Sequence, residues 1–553
     1  MNIARLVLKG LAFRAKAFER ATRDPLKSQE KVLLEYVYRN KDTEYGRRYN
    51  FSKVRSISDY QRLVPLSDCE TMRPYISKMA GGEPNILTVD RPIFFGATSG
   101  TTNKPKLIPV TKFSQRRKAA LTGLWAYYIT RDHPGITDGK ILAIVSPEKE
   151  GVTESGLILG AESGHAYKKL PFAIRRIYAL PKEVFDIEDF ETRYYCMLRI
   201  GLEERNITTV ATLNPSTLII LCQKIRAWQN EIIEDIDRGT FSGRWNIPAR
   251  TRKALESRFK PNPKRAKELN SILEDKGELL PKHFWPKLEL IECWKGGTVK
   301  LYLKELPQYF GDVPIRDIGC LSTEARSSIP TGDEGAGGVL AIKTNFYEFI
   351  PREDMDKPDK RVLLCDQLEK AREYFLIVTT PGGLYRYNID DVITVDGFFN
   401  KTPVIEFLQK GHNATSLAGE KLYESQVNAA INNVVEKYNL SLALFSTTVQ
   451  WSMPPRYVFL IEFDDARPPV SGKELLISID NELRNQNREY DYVRQAQILN
   501  PPILMILNKG SFEKYRAKKI REGAHDSQFK APELTADPAF GSNFDVALEV
   551  TMD

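Results

Sequence analysis

The chain has 553 residues, 42% of them hydrophobic and 27% charged, with 80 Lys+Arg against 72 Asp+Glu. This is globular composition, long enough for a large buried core, and at about 150 residues per structural unit it allows three or four units. A formal charge of +8 on so large a surface, with no concentrated basic block and no RNA-recognition or zinc-finger signature, argues against a nucleic-acid partner and suits a small anionic substrate.

Residues 1 to 80 read as helical, in periodic stretches such as SQEKVLLEYVYRN broken by Pro and Gly. The first of them sets Ile3, Leu6, Val7 and Leu11 at helical spacing among Arg5, Lys9, Arg14 and Lys16. Such a stripe either packs on its own domain or lies on a membrane surface, so a weak membrane association through residues 1–20 is one reading. The segment has no small-residue cleavage site of the secretory kind, and no run reaches the roughly 18 to 20 apolar residues that span a bilayer. From 90 to 220 strands and helices alternate: RPIFFG, KILAIVS and ITTVATL are strand-like, and PSTLIILCQKIRAW is helical. That alternation predicts a mainly parallel, doubly wound sheet. Residues 235–285 read as a charged, solvated helical insertion. The strand-like runs LELIECW, IRDIGCLS, GVLAIKT, YFLIVTT and VITVDGF follow. Near 410 the chain turns polar and resumes as α+β, which sets a large domain over 1–409 and a small one over 410–553. The six cysteines form no C-x-x-C pair and the five histidines are scattered, so a zinc site is not expected and a reducing, cytoplasmic setting is.

The sharpest local signal is FFGATSGTTNKPKLIPVT, residues 94–111. A strand-like run enters Thr98, Ser99, Gly100, Thr101, Thr102 and Asn103, followed by Lys104 and Lys106. Hydroxyls and exposed backbone N–H groups bind phosphate oxygens, glycine lets the backbone approach, and lysine supplies charge. The stretch is neither a Walker A loop nor a G-x-G-x-x-G fingerprint. By composition alone it also reads as an ordinary polar surface loop. Further on, DIGCLSTEARSSIP carries Ser322, Thr323 and Glu324 just after a strand-like run. A carboxylate there can hold Mg²⁺ or orient a nucleotide hydroxyl, or simply face solvent. TNFYEFIP (344–351) and VTTPGGLYRYNIDDVITVDGF (378–398) come next, with Asp391 opening the strand VITVDGF. An acid so placed can accept ribose hydroxyls or sit at a turn.

TSGTTNKPK resembles the T-S-G-T-T-G-x-P-K phosphate loop of the adenylate-forming superfamily, with Asn103 in place of Gly. The four segments in order resemble the plant auxin-responsive acyl-acid amido synthetase family (the Gretchen Hagen group), and more specifically its bacterial relatives. The likeness runs over roughly residues 20 to 535. It implies an α/β adenylate-forming fold: a large N-terminal domain of mixed, mainly parallel sheets flanked by helices with a strand-rich part, and a smaller mobile α+β C-terminal domain. It implies ATP and Mg²⁺ as cofactors, a carboxylic acid converted to an acyl-adenylate, and transfer of the acyl group to an amine. By the same resemblance Ser99, Thr101, Thr102 and Lys106 hold the phosphates. Glu324 lies at the metal and nucleotide with Thr323 beside it, and Asp391 binds ribose. Lys410 lies where the family often has Arg, Lys421 matches a lysine of the D-K-T-x-E stretch, and Lys530 matches the mobile lysine that reaches the α-phosphate.

Three positions depart from the family pattern. Cys320 stands where an aromatic usually stacks on adenine, Asp390 replaces the Gly before Asp391, and Glu533 replaces an Arg after Lys530. Pro215, Trp125, Tyr127, Tyr128 and Trp294 either line an acyl pocket or pack in the core, and the Gly-rich Trp294-Lys295-Gly296-Gly297 stretch lies where the superfamily has a loop near adenine. Two further functional readings stand beside the amido synthetase: an acyl-CoA or other adenylating ligase with a thiol or hydroxyl acceptor, and a catalytically silent binding protein. A monomer is expected.

Overall fold

The computed structural model describes residues 3–98, 106–145, 148–149, 151–213, 215–297, 300–355, 357–411, 414–415, 417, 420, 422–452, 454–464, 470–487, 490–491, 494, 499–522 and 530–552. The chain divides into two compact units, Met1–Phe407 and Leu408–Asp553. The division falls inside one strand, Thr402–Lys410.

Among the described residues the first unit holds three sheets. In the four-stranded parallel sheet, Lys140–Ala143, Ile207–Ala211, Leu290–Glu292 and Ile315–Arg316 lie side by side in that order. Short β-branched runs make its strands, and amphipathic helices cross between them. The helix Ser216–Arg238 ends at Gly239, whose φ of 70° closes the turn; a Cβ there would stand 2.4 Å from the Lys260 carbonyl carbon. Helix Pro263–Lys276 follows, capped by Asn262. The 235–285 segment is therefore no solvated appendage. Leu255, Leu269 and Phe284 are fully buried and join Ile207, Val210 and Ile232 in one core. Most charged residues between them lie on the outer faces of the same helices, while Arg265 is buried at 4% exposure and donates to the Leu202 and Phe284 carbonyls.

A second sheet runs Lys106–Thr111, Pro92–Thr98, Ile158–Gly160 and Gly151–Val152, its central pair of strands parallel. The third has six strands, in the order Phe346–Pro351, Glu373–Thr379, Tyr387–Phe399, Thr402–Lys410, Gly338–Leu340 and Ser328–Ile329. The N-terminal helices cover this sheet. Tyr45 stacks on Tyr385 at 4.9 Å, Gln29 donates to the Ile342 and Asn345 carbonyls, and Leu33, Tyr60 and Val64 are fully buried. The first helix, Ile3–Ala21, packs on its own domain. Ala15 and Phe18 are buried, Leu11 reaches Gly123, and the Tyr128 hydroxyl donates to Glu19. The Ile3, Leu6 and Val7 side chains lie outside the described residues. Leu11, the stripe residue that is described, faces the domain, so the membrane-surface reading gains no support, and no described helix is long and apolar enough to cross a membrane.

The second unit is α+β. Its sheet runs Leu442–Gln450, Arg456–Phe463, Ile503–Leu507 and Val546–Val550, with only the middle pair parallel. Helices Glu424–Tyr438 and Gly472–Gln486 accompany it.

Candidate active site

The strands flanking the Ser/Thr/Gly loop form an antiparallel hairpin whose last pair is Thr98 opposite Lys106. Ser99, Thr101 and Thr102 lie outside the described residues. The hairpin delivers the loop's two ends to one place, and Lys106 stands at that exit, within electrostatic reach of Glu70. The chain then turns at Thr111. A capping box with Ser114 starts the helix Lys112–Asp132 there, so the helix carrying Lys118 begins directly after the loop.

Two contacts tie this hairpin to the Ser-Thr-Glu segment, more than two hundred residues on. A Cβ built on Gly96 would stand 2.3 Å from the Thr323 Cγ2, so only a glycine lets that methyl seat against the strand. Lys118 Nζ donates to the Thr323 carbonyl at 2.8 Å and to Glu162 Oε2 at 2.7 Å. Glu162 is the first residue of the helix Glu162–Lys168. We expect Gly96→Ala to lower the unfolding free energy of the first unit by about 1–3 kcal/mol through overpacking, measured by urea melting. Adding Thr323→Ser, which removes the methyl, recovers part of that loss.

Glu324 follows Thr323 and is 7% exposed. Its charge, second only to burial itself, pushes the pKa of the buried Tyr387 phenol well above its ordinary value. The Tyr387 strand also carries Asp391, again 7% exposed. Asp391 does not open the strand; it lies well inside Tyr387–Phe399, at a bulge where pairing with Glu373–Thr379 slips between Phe375 and Ile377. Bulges re-aim a side chain. Asp390, at the family's glycine position, takes a φ of 63°, and its N–H donates to Asn388 Oδ1 at 2.9 Å. Cys320 is linked to Asp391 electrically: burial, then the charges of Asp317, Asp391 and Glu406, push its thiol up to about 12. The thiol donates weakly to the Ile405 carbonyl. The hairpin that ends at Lys106 packs on Thr323 through Gly96, while Glu324 acts on Tyr387 and Asp391 on Cys320 through their charges.

The run IRDIGCLS is a strand only at Ile315–Arg316. Asp317 ends it by accepting the Lys295 N–H at 2.6 Å and that of Gly319, which needs its φ of 84°. Glu324 therefore stands in a looped segment held by Ser322 hydroxyl contacts to Ala325, rather than at a strand end. Arg326, two residues on, is buried over the Trp125 ring at 4.8 Å. Burial lowers it to about 10 against the pull of Glu292 and Asp317, and burial raises Glu292, at the end of its parallel strand, to about 7. Tyr128 is core, 1% exposed, while Trp125 is partly buried, its Nε1 donating to the Asp317 carbonyl. Pro215 stands just before helix Ser216–Arg238.

In the second unit Lys530 pairs with Glu533 at 2.7 Å. Lys421 lies outside the described residues. Lys410 ends the strand Thr402–Lys410, and its side chain is likewise outside them. Sequence reading missed Lys118, Glu162 and the Glu348–Arg386 pair. Lys118 and Glu162 lie on ordinary charged helices with no local motif. Glu348 and Arg386 stood in quoted motifs, but nothing local pairs them.

The fold matches that of a solved acyl acid amido synthetase. It superposes on a GH3.15 acyl acid amido synthetase with a TM-score of 0.86, over 97% of each chain at 23% identity. Residues 14–315 match the GH3 family N-terminal domain, 338–410 the GH3 family central domain and 425–539 the GH3 family C-terminal domain. The chain belongs to the GH3 family and is a ligase of the acid–amido synthetase type. Similar proteins include the jasmonoyl–L-amino acid synthetase JAR4 of Nicotiana attenuata, 26% identical over 93% of this chain and 92% of that one. The indole-3-acetic acid-amido synthetase GH3.3 of Arabidopsis thaliana is 24% identical over 93% and 90%.

Proposed function

We propose that this chain uses ATP to convert a carboxylic acid into an acyl-adenylate, with release of pyrophosphate, and then passes the acyl group to the amino group of an amino acid, with release of AMP. The observation that carries the reading is the seating of Thr323 on Gly96, with Lys118 clamping the Thr323 carbonyl. It fixes the mouth of the phosphate-type loop against the Ser-Thr-Glu turn. In this reading Ser99, Thr101, Thr102 and Lys106 hold the triphosphate, Thr323 and Glu324 face the nucleotide, and Asp391 takes the ribose hydroxyls. Lys410 and Lys421 serve in the segment joining the units, and Lys530 comes to the α-phosphate in the first half-reaction. The small unit then moves away for acceptor attack.

The donor set suits Mg²⁺. Glu324 is a largely buried oxygen ligand beside the neutral phenol of Tyr387, and hard cations take carboxylate oxygen together with phosphate. When bound, the ion neutralises phosphate charge; Glu324 would hold it. The six cysteines, none of them disulfide-bonded, support a cytoplasmic setting. The reading also takes the chain as a monomer on a bacterial branch of the family.

The test is mass spectrometry of products after incubation with ATP, Mg²⁺ and pooled acids and amines, with jasmonic and indole-3-acetic acids first in the pool. An acyl-AMP peak and amine-dependent AMP release are expected. CoA-dependent release would instead mark a thiol acceptor, and failure to consume ATP with any acid would leave a silent binding protein. One departure gives a second expectation. Asp390 holds a left-handed backbone that costs a non-glycine residue about 1 kcal/mol, and adds a negative charge beside the proposed ribose site. Asp390→Gly should raise stability by about that amount and lower KM for ATP about three- to fivefold, as one removed like charge allows. Calorimetry and pyrophosphate exchange read the two effects.

A further inference from the structure

The surroundings of Lys530 contain more than the family pattern calls for. Where that pattern has an arginine, this chain has Glu533, and its carboxylate meets Lys530 Nζ at 2.7 Å. The two partners differ in freedom. The Lys530 side chain is 50% exposed and that of Glu533 only 10%. Glu533 Oε2 accepts from Asn428 Nδ2 at 2.6 Å, on the helix Glu424–Tyr438. Its carbonyl accepts the Thr447 N–H at 2.8 Å, and the Thr535 N–H returns to the Thr447 carbonyl at 2.9 Å. The neighbouring Pro532 carbonyl accepts from the Ser446 hydroxyl. Helix and strand thus hold the carboxylate still, while the lysine side chain is half-exposed.

A second acid stands behind the first. Glu424, 5% exposed at the start of the same helix, is hydrogen-bonded to Glu533 and accepts the Leu534 N–H. Burial, then the charge of Glu533, raise its carboxyl to about 8. Among the described residues, the charged groups that act on it most are Glu533 and Lys530, both from the C-terminal segment. Its own helix presents Asn428 to the same carboxylate, and strand Leu442–Gln450 presents the Thr447 N–H and Ser446 hydroxyl to the same segment.

We propose that Glu533 is a positioning residue that docks the Lys530 ammonium between adenylation events, and that the proton on Glu424 sets how firmly it is docked. The proposal rests on the reading of Lys530 as the adenylation lysine. With Glu424 protonated, its O–H donates to Glu533 and draws off part of the charge facing the lysine, so the lysine leaves readily. As pH rises through about 8, Glu424 ionises, a second negative charge builds behind the first, and the lysine stays docked.

Competitive labelling of the full chain with isotopic acetic anhydride tests this without knowing the acid. Lys530 is quantified by mass spectrometry against the exposed Lys53. An exposed ion pair of ordinary strength corresponds to a rate change of about three- to fivefold. Glu533→Gln should therefore label Lys530 faster by that factor near neutral pH, with Glu533→Asp intermediate. In the unmodified protein the Lys530:Lys53 ratio should fall about twofold or more as pH passes through Glu424 ionisation. Glu424→Gln, which mimics the form present at neutral pH and so keeps the fold, should hold the ratio level. Equal labelling in Glu533→Gln and the unmodified protein overturns the docking role; a fall that persists in Glu424→Gln overturns the proton control. Unchanged pyrophosphate exchange in Lys530→Ala would instead remove the catalytic reading beneath, and the labelling results would still stand.

Discussion

Arg386→Ala should destabilise the first unit by about 3–5 kcal/mol, the usual effect of breaking a buried ion pair from one side. Arg386 is 5% exposed and Glu348 1%. The guanidinium meets both oxygens of Glu348 at 2.9 Å and also donates to the carbonyls of Gln61, at 2.9 Å, and Val64, at 2.7 Å. Gln61 Nε2 closes the ring with a 2.9 Å bond to Glu348. One side chain therefore ties the N-terminal helices to two strands of the six-stranded sheet. The backbone is fastened too: the Arg386 N–H donates to Thr379 and its carbonyl accepts from Ser67, which holds its φ of 46°. Removing the guanidinium leaves a carboxylate out of water with Gln61 alone among the described residues to meet it, and leaves two carbonyls without that donor. Lysine cannot supply the fork, so Arg386→Lys should recover less than half of the loss. Five of the six tryptophans lie in this unit, so tryptophan fluorescence in urea reports its unfolding. Arg386→Leu with Glu348→Leu should be less destabilised than Arg386→Ala alone, because no unpaired charge remains.

This pair explains why the F-x-E-F-x-P and Y-R-Y segments appear together in the chain: their central charges are structural partners across a sheet. Periodicity and turn residues made the strands around KILAIVS and ITTVATL and the helix after Pro215 legible, because each pattern is local. The ends of the phosphate-type loop were legible for the same reason. Pairings between distant segments were not. Glu348 and Arg386 are 38 positions apart, Lys118 and Glu162 are 44 apart, and Gly96 and Thr323 are more than two hundred apart. Short-range side-chain competition also escaped the pattern. Asp317 cuts a strand-like run to two residues by taking backbone donors into its carboxylate. The positive φ at Asp390 makes a bulge where alternation alone reads a strand start. The 235–285 insertion looked solvated because its charges outnumber its apolar residues, yet Phe241, Trp245, Leu255, Leu269, Leu279 and Phe284 are buried and seat it in the core.

Lys530→Ala should reduce acid-dependent pyrophosphate exchange about 10²- to 10³-fold, the range found when one preorganised donor to developing charge is removed. A carboxylate approaching an α-phosphate brings two anions together, and a cation at that point relieves the repulsion in the transition state more than in the ground state. The loss should therefore fall on kcat, with KM for ATP moving little, since loop and ribose contacts remain. Folding should not suffer, because the Lys530 side chain is half-exposed and its pairing with Glu533 is an exposed ion pair worth at most about 1 kcal/mol. The second half-reaction separates this role from a general defect. Given preformed acyl-adenylate, Lys530→Ala should transfer the acyl group to the amine at nearly the unmodified rate, because that step no longer needs a cation at the α-phosphate. Lys530→Arg keeps the charge but not the compact ammonium, and should restore only part of the exchange. Equal losses in both half-reactions would show that the lysine supports the unit's structure instead, and full exchange in Lys530→Ala would place the adenylation cation elsewhere.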